Sequence, residues 1–438
     1  MTSASGRRYS FGIPSSTPPE TTAADRGLTG LAVLIALVFL FQLLLYPYGR
    51  DQGIYTVVAD TMLRGGAPYQ DAWDFKTPGV FFVYALARLA FGRTFSAIRL
   101  LEGGMLLAWI WGCVVFSKRH LGRALPGFIG GTIGLVFYVQ LEFWHTAQPE
   151  SFAAAILMWA LVASTYAPAA EDARGRTKQA AAWAAAGALF ALAALMKPPL
   201  GGGALSSLVL VLAARRKPGA GRAPVRPLAA VGGFAAGGLF IAAAAAAYFA
   251  LSGALPDLYD ALAVFAPRYM TFGPVASGFF APLGLTLWRF ALAFSPAILI
   301  GLVLFLILPR VHVRESEGAA HLLGCLVFQL LGIAWQAKLF HYHFGAALPL
   351  GGLIAGWAAW KLALKLRSRW AIAAALILIT AGAWVWKPAG SPRLSFGERS
   401  WIRLQSLGST AEERQRTMDG LASVADVDAA ANRAAAGT

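Results

Sequence analysis

Long uncharged apolar runs alternate along this chain with short segments that gather most of its charge. The runs lie between Arg26 and Arg50, Glu102 and Lys118, Arg123 and Glu142, Glu150 and Glu171, Lys178 and Lys197, Lys197 and Arg215, Arg226 and Asp257, Arg289 and Arg310, Glu317 and Lys338, Lys338 and Lys361, and Arg369 and Lys387. Most hold roughly the 17 to 25 residues that a helix needs to cross the hydrocarbon core. The pattern predicts an all-α polytopic membrane protein with about eleven transmembrane helices. The run after Glu102 is short, which places the start of its helix earlier, near Ala97.

Between the first and second runs the pattern changes character. After Asp51, the residues Ile54, Val57, Val58, Thr61 and Met62 recur at helical spacing, predicting a short amphipathic helix along the membrane surface. Gly65-Gly66-Ala67-Pro68 ends it, and the aromatic-rich stretch Tyr69 to Phe75 suits the interface. A second juxtamembrane helix is predicted from Pro78 to Phe91, apolar but interrupted by Arg88 and too short to cross. The loop over residues 50–79 holds Arg50, Asp51, Arg64, Asp71, Asp74 and Lys76, and charges set against apolar spans mark chemistry or an ion path more often than packing.

Composition agrees with a membrane setting. Hydrophobic residues make up 58% of the 438, and charged residues 13%, against about 25% charged in a soluble domain. The net charge of +16 would suggest nucleic acid for a soluble protein, but here its distribution is a topology signal. Alternate loops carry Lys118, Arg119 and Arg123; Arg174, Arg176 and Lys178; Arg215, Arg216, Lys217, Arg222 and Arg226; Arg310 and Arg314; and Lys361, Lys365, Arg367 and Arg369. The positive-inside rule makes these cytoplasmic, together with the N-terminus. Loops 47–97, 142–150, 252–288 and 337–343 then face outward. The organisation expected is a cytoplasmic tail over 1–27, one transmembrane domain over 28–386, and a short outward-facing tail over 387–438. The first run follows a Ser, Thr and Pro-rich segment and is long enough to span, so it is expected to be an uncleaved first helix. Cys113 and Cys325 fall inside spans, as packing residues, and the glycine runs at 201–203 and 232–238 suit close helix approach.

Arg50-Asp51-Gln52-Gly53-Ile54-Tyr55, then Pro68-Tyr69, Asp74 and Lys76-Thr77-Pro78-Gly79, resemble the first periplasmic loop of GT-C glycosyltransferases. The branch they resemble is family 39, with its bacterial PMT-like and RgtA-like members, which include protein O-mannosyltransferases and lipid A glycosyltransferases. Thr146-Ala147-Gln148-Pro149-Glu150, Lys197-Pro198-Pro199 and His341-Tyr342 extend the resemblance over residues 28 to 350. It implies transfer of a sugar from a polyprenyl-phosphate donor to an envelope acceptor (glycan, lipid or protein) on the outer face of the inner membrane, with inversion at the anomeric carbon. Asp51 matches the acidic residue that such enzymes use as catalytic base, whereas Gln52 stands where the family often has Glu.

The residue types suit that chemistry in their own right. An anomeric carbon under attack develops oxocarbenium character, so a carboxylate beside the acceptor hydroxyl accepts its proton and stabilises positive charge. A departing lipid phosphate needs fixed cations and hydrogen-bond donors rather than an acid; Lys76, Lys197, His341 and Tyr342 are the candidates. Asp74, Gln148, Glu150 and Arg268 are candidate substrate-binding residues, and Glu150 could also help to hold a divalent cation, the one cofactor left open. Each has a plainer reading. Asp51 could cap the surface helix, Lys76 could snorkel to headgroups, Lys197 and Glu150 could lie at span ends for structural reasons, and one of Asp71 and Asp74 could form a turn. His145, His341 and His343 lack zinc-site spacing. A lipid-sugar flippase or an envelope scaffold would share the topology; the near absence of charge inside the spans favours the transferase over the flippase.

Overall fold

A computed structural model of the chain describes residues 22–166, 173–213, 227–272, 278–293, 296–310, 312–385, 394–410, 412–413 and 416–417. Residues 1–21 of the expected cytoplasmic tail, the loop from Arg215 to Arg226, and the outermost C-terminal residues lie outside them. The helices are α1 (Ala23–Leu44), α2 (Arg50–Leu63), α3 (Gly79–Phe91), α4 (Ser96–Leu121), α5 (Leu125–Val139), α6 (Glu142–His145), α7 (Pro149–Ser164), α8 (Ala173–Met196) and α9 (Gly203–Ala213). They continue with α10 (Pro227–Leu251), α11 (Leu255–Tyr259), α12 (Ala266–Thr271), α13 (Phe280–Ala293), α14 (Pro296–Ile307), α15 (Val313–Gln336), α16 (Leu348–Lys365), α17 (Trp370–Val385) and α18 (Phe396–Gln405). Among the described residues, 6 helical stretches are long and apolar enough to cross a membrane: α1, α4, α8, α10, α15 and the stretch His341–Lys365. The remaining predicted runs hold shorter apolar helices, including α5, α7, α14 and α17. The chain is an all-α, multi-pass membrane protein. As expected from the short run after Glu102, α4 begins near Ala97, at Ser96.

The centre and the edge of the bundle differ in burial. Of the His341–Lys365 window, 78% is buried, against 17% for Pro227–Leu251, so α16 is central and α10 lies at the periphery. Small residues permit the close crossings. A Cβ on Gly237 of α10 would stand 1.8 Å from the Ala184 carbonyl oxygen of α8, and one on Gly352 of α16 would stand 2.4 Å from the Gly130 carbonyl of α5. Backbone thus touches backbone at both crossings. Cys113 and Cys325 are free and buried.

The loops gather at two opposite ends. At one, His120 meets the Arg314 carbonyl at 2.9 Å, Arg369 pairs with Asp25 at 3.4 Å, and Lys361 bridges the Pro309 carbonyl and Glu315. The other end holds the first loop, residues 140–148, Lys197, α11 to α12 and residues 337–347, packed on one another as described below. The sequence-predicted alternation is therefore a real division of the bundle into a basic end and a candidate-site end.

The first loop folds largely as its periodicity predicts, with α2 and α3 as its two short helices. Within the predicted stripe, Val58 turns inward with Tyr55 and Ala59, while Ile54 and Val57 are exposed. The protein therefore takes one apolar face of α2 and leaves a second to the membrane surface. Arg88 of α3 grips Asp60 of α2, with Nη2 to Oδ2 at 2.8 Å, which accounts for the charge interrupting that apolar helix.

The short tail expected beyond residue 386 holds a docked helix, α18, capped at its start by Ser395 and Glu398. Phe396 stacks on Phe39 at 5.4 Å, and Arg399 and Arg403 are buried. Beyond the last apolar run, this helix docks through arginines together with Phe396, and sequence periodicity does not register that.

Candidate functional site

Asp51 lies in the first turn of α2, where the unpaired amides and the helix dipole favour a carboxylate. It is not the cap: Gly49 takes that place, and the Gln52 side chain accepts from the Gly49 amide. The Asp51 side chain is 23% exposed, with Arg50 Nε at 3.8 Å and Gln148 Nε2 at 3.5 Å. Both contacts are long, which leaves the carboxylate free to accept from another donor.

Its surroundings are held firmly. Gln52 is wholly buried, and its Nε2 donates to the carbonyls of Phe143 and Thr146, both at 2.5 Å. Tyr55 donates to Gln148 Oε1 at 3.0 Å, and Gln148 Nε2 reaches the Trp144 carbonyl at 3.3 Å. Gln52, which interrupts the family's pattern, is thus an amide cross-link between the first loop and residues 143–146. An amide supplies the donor and the acceptor this position needs, and an ionised Glu would supply no donor.

Lys76 and Lys197 converge on one ring. The Lys76 ammonium lies 5.8 Å from the centroid of Tyr342 and the Lys197 ammonium 5.7 Å from it, both within cation–π range. Lys197 also pairs with Glu150 at 2.6 Å, where the Glu150 side chain is 1% exposed. Burial pulls the Lys197 ammonium below the usual lysine value, Glu150 opposes that pull, and Lys76 adds to it. One Glu150 oxygen, Oε2, is buried without a hydrogen-bond partner, so the pair leaves one acceptor unused. The His341 ring lies tilted against His145 at 5.4 Å, and His145 lies 5.8 Å from Tyr342. Burial, reinforced by His341, pulls the His145 imidazole down to about 3, so it is a neutral hydrogen-bonding ring at physiological pH.

The two aspartates beyond α2 divide their roles. Asp71 accepts from the Ala67 amide at 2.7 Å and closes the turn. Asp74 is buried; Oδ1 accepts from the Phe75 amide at 2.7 Å while Oδ2 has no partner. Burial raises its pKa above the ordinary 3.8 despite the opposing charge of Lys76, and Asp51 adds to the rise. A raised folded-state pKa stabilises the fold at low pH, and that stability is lost as pH rises through the folded value. The Asp74→Asn variant is therefore expected to lose most of the fall in melting temperature that the wild type shows from about pH 4 upward. Thermal scans of both proteins across pH 4 to 8 read this, and parallel curves would exclude a titrating Asp74.

Arg268 is exposed on α12, and the neighbour that reaches the first loop is Tyr269, 4.4 Å from the Phe75 ring. Trp73 meets Phe265 edge to face at 4.8 Å, and the Lys338 ammonium sits 4.7 Å over Tyr269. Sequence reasoning missed Lys338, which carries no motif. It also used Glu102 only to mark a span boundary. Arg99 Nη1 pairs with Glu102 Oε2 at 2.8 Å, both side chains buried, and Arg99 also donates to Thr146 Oγ1 at 3.0 Å and to the Pro47 carbonyl at 2.7 Å. Glu102 Oε1 accepts from the Ala147 amide at 2.5 Å. Opposite charges three residues apart at the head of a span were the available signal.

Among the described residues, no three His, Cys, Asp or Glu side chains gather as a metal site.

No described protein family and no curated protein matches the sequence. Solved structures do. ArnT from Cupriavidus metallidurans in the apo state superposes with a TM-score of 0.58 at 17% identity, over 91% of this chain and 72% of that one. The same protein bound to undecaprenyl phosphate gives 0.51 at 15% identity, over 83% of this chain and 66% of that one. The chain thus spans about two thirds of the ArnT length. At these identities the likeness is one of fold, and the fold is the one that the first-loop residues resemble: this chain has the GT-C transmembrane fold.

Proposed function

We propose that this protein is an inverting glycosyltransferase that moves a sugar from a polyprenyl-phosphate donor to a glycan, lipid or protein acceptor at the outer face of the bacterial inner membrane. One observation carries the reading: two ammonium groups meet over a single tyrosine ring in the same cluster as a lightly held carboxylate. Like charges brought together repel, and an anion between them relieves that repulsion. A lipid phosphate entering sideways from the bilayer provides such an anion at the correct depth. The fold shared with ArnT, which one structure holds bound to undecaprenyl phosphate, supports the choice of carrier. The basic end of the bundle supports a cytoplasmic assignment for that end, and with it an outward-facing site at the other.

In this reading the acceptor hydroxyl attacks the anomeric carbon from the side opposite the phosphate. Its oxygen forms the new glycosidic bond, its proton passes to Asp51, and the bond from C1 to the phosphate oxygen breaks. The released polyprenyl phosphate keeps its electron pair and negative charge, which Lys76 and Lys197 stabilise, with Tyr342 and His341 placed to donate hydrogen bonds. Glu150 Oε2 and Asp74 Oδ2 are free to accept from sugar hydroxyls. Buried Gln148 supports Asp51, and exposed Arg268 is assigned to the approaching substrate.

The test is transfer of radiolabelled sugar from a panel of polyprenyl-phosphate sugars to native envelope extract by the purified protein. Incorporation with at least one donor is expected. Absence of transfer with every donor, joined to movement of lipid-linked sugar across proteoliposomes, would replace the transferase with a flippase.

A further inference from the structure

We infer that Arg399 and Arg403 of the C-terminal helix α18 are positioning residues for Asp51, acting through Glu142. The inference rests on the transferase reading above for its kinetic half, and on contacts alone for its structural half.

The contacts form one continuous set. Arg399 Nε meets Glu142 Oε1 at 2.9 Å, and Arg403 Nη1 meets Glu142 Oε2 at 2.8 Å. One carboxylate therefore takes a guanidinium on each oxygen, with the Glu142 side chain 14% exposed and the Arg403 side chain 1% exposed. Glu142 itself sits at φ 66°, a left-handed conformation that costs a non-glycine residue on the order of 1–2 kcal/mol. The two ion pairs hold it there. From Glu142 the path runs through backbone: its carbonyl accepts from the Thr146 amide at 3.1 Å and from Thr146 Oγ1 at 3.0 Å. The Phe143 and Thr146 carbonyls in turn receive the Gln52 amide, one residue beyond Asp51. Gln148, two residues past Thr146, reaches Asp51 directly.

Arg403 holds the approach to α2 from a second direction. Its Nε donates to Gln42 Oε1 at 3.2 Å, near the end of α1, and its guanidinium lies 4.8 Å over the Tyr46 ring. The Tyr46 hydroxyl donates to the Val139 carbonyl at 2.5 Å, at the end of α5. Helix α18 thus clamps both the segment leading into Asp51 and the turn that seats it. Charge-assisted bonds in a desolvated place are strong and directional, which suits positioning better than a loose tail contact would.

The experiment uses the full-length protein in nanodiscs as wild type, Arg399→Gln/Arg403→Gln, and Arg403→Lys. Hydrogen–deuterium exchange by mass spectrometry is read first, because it does not depend on activity. The double variant is expected to raise uptake in residues 49–56 and 142–148, with α4 and α16 unchanged, while Arg403→Lys stays near the wild type. With an active donor, kcat of the double variant is expected to fall about 10- to 100-fold with KM for the donor within about twofold, since small misplacement of a reacting group costs that much. Increased uptake confined to residues 394–408 with kcat unchanged would overturn the inference, as would a uniform rise across the bundle. If the wild type transfers no sugar, the transferase reading fails on its own, and the exchange pattern alone decides whether α18 holds α2.

Discussion

The Asp51→Asn variant is expected to lose sugar transfer by roughly 10²- to 10⁴-fold, the range ascribed to a positioned general base, while its fold and donor binding stay as in the wild type. The separation of the two effects follows from the geometry. Asp51 makes no short ion pair: Arg50 stands 3.8 Å away and is 79% exposed, and Gln148 is 3.5 Å away. Exposed pairs of that kind contribute between nothing and about 1 kcal/mol, so an isosteric amide disturbs little. The amide cannot take up the acceptor proton or balance the positive charge that develops on the sugar ring. The measurement is single-turnover transfer of labelled sugar, alongside thermal unfolding and binding of undecaprenyl phosphate to each protein. Transfer at the wild-type rate by a folded Asp51→Asn protein would remove this residue from the mechanism; loss of lipid binding together with transfer would give it a ligand's role instead.

Much of the framework is legible in the sequence because lipid imposes a strict rule on it. Charges are costly inside the hydrocarbon, so their positions outline α1, α4, α8, α10 and α15 without help from any homologue. Periodicity alone was enough for α2 and α3. The central helices were harder in a different sense: α5, α7 and α16 are apolar like the rest, and only packing shows that α16 is enclosed while α10 is not. In the site, Asp51, Lys76, Lys197, Glu150 and Tyr342 were legible because they are polar residues at the ends of apolar runs. The structure brings Lys76, Lys197 and Tyr342 together with Glu150. Which side chains hold the cluster in place was not legible. Gln52 reads as a lost carboxylate in a motif, yet it serves as a cross-link to residues about 90 positions away. Glu142 and Arg403 lie even further apart along the chain, and nothing in local spacing connects them. Long-range polar pairs leave no period, so a single sequence does not display them.

The Arg99→Met variant is expected to be destabilised by about 3–5 kcal/mol, the cost of breaking a buried ion pair by removing one partner. Glu102, 1% exposed, would lose its cation. Tyr138 and the Ala147 amide still donate to it, but hydrogen bonds to a desolvated carboxylate offset only part of the missing charge. Arg99 also serves the carbonyls of Tyr46 and Pro47 and the hydroxyl of Thr146, so its loss strips donors from both segments that flank Asp51. The double variant Arg99→Met/Glu102→Gln removes the stranded charge and is expected to recover a fraction of the loss, leaving a positive coupling between the two positions. Equilibrium unfolding in mixed detergent, run as a double-mutant cycle, measures it. If the two single losses simply add, the pair acts as two independent polar anchors; if they couple, the ion pair is the unit that fixes the turn over residues 146–148 and, through Gln148, the carboxylate at Asp51.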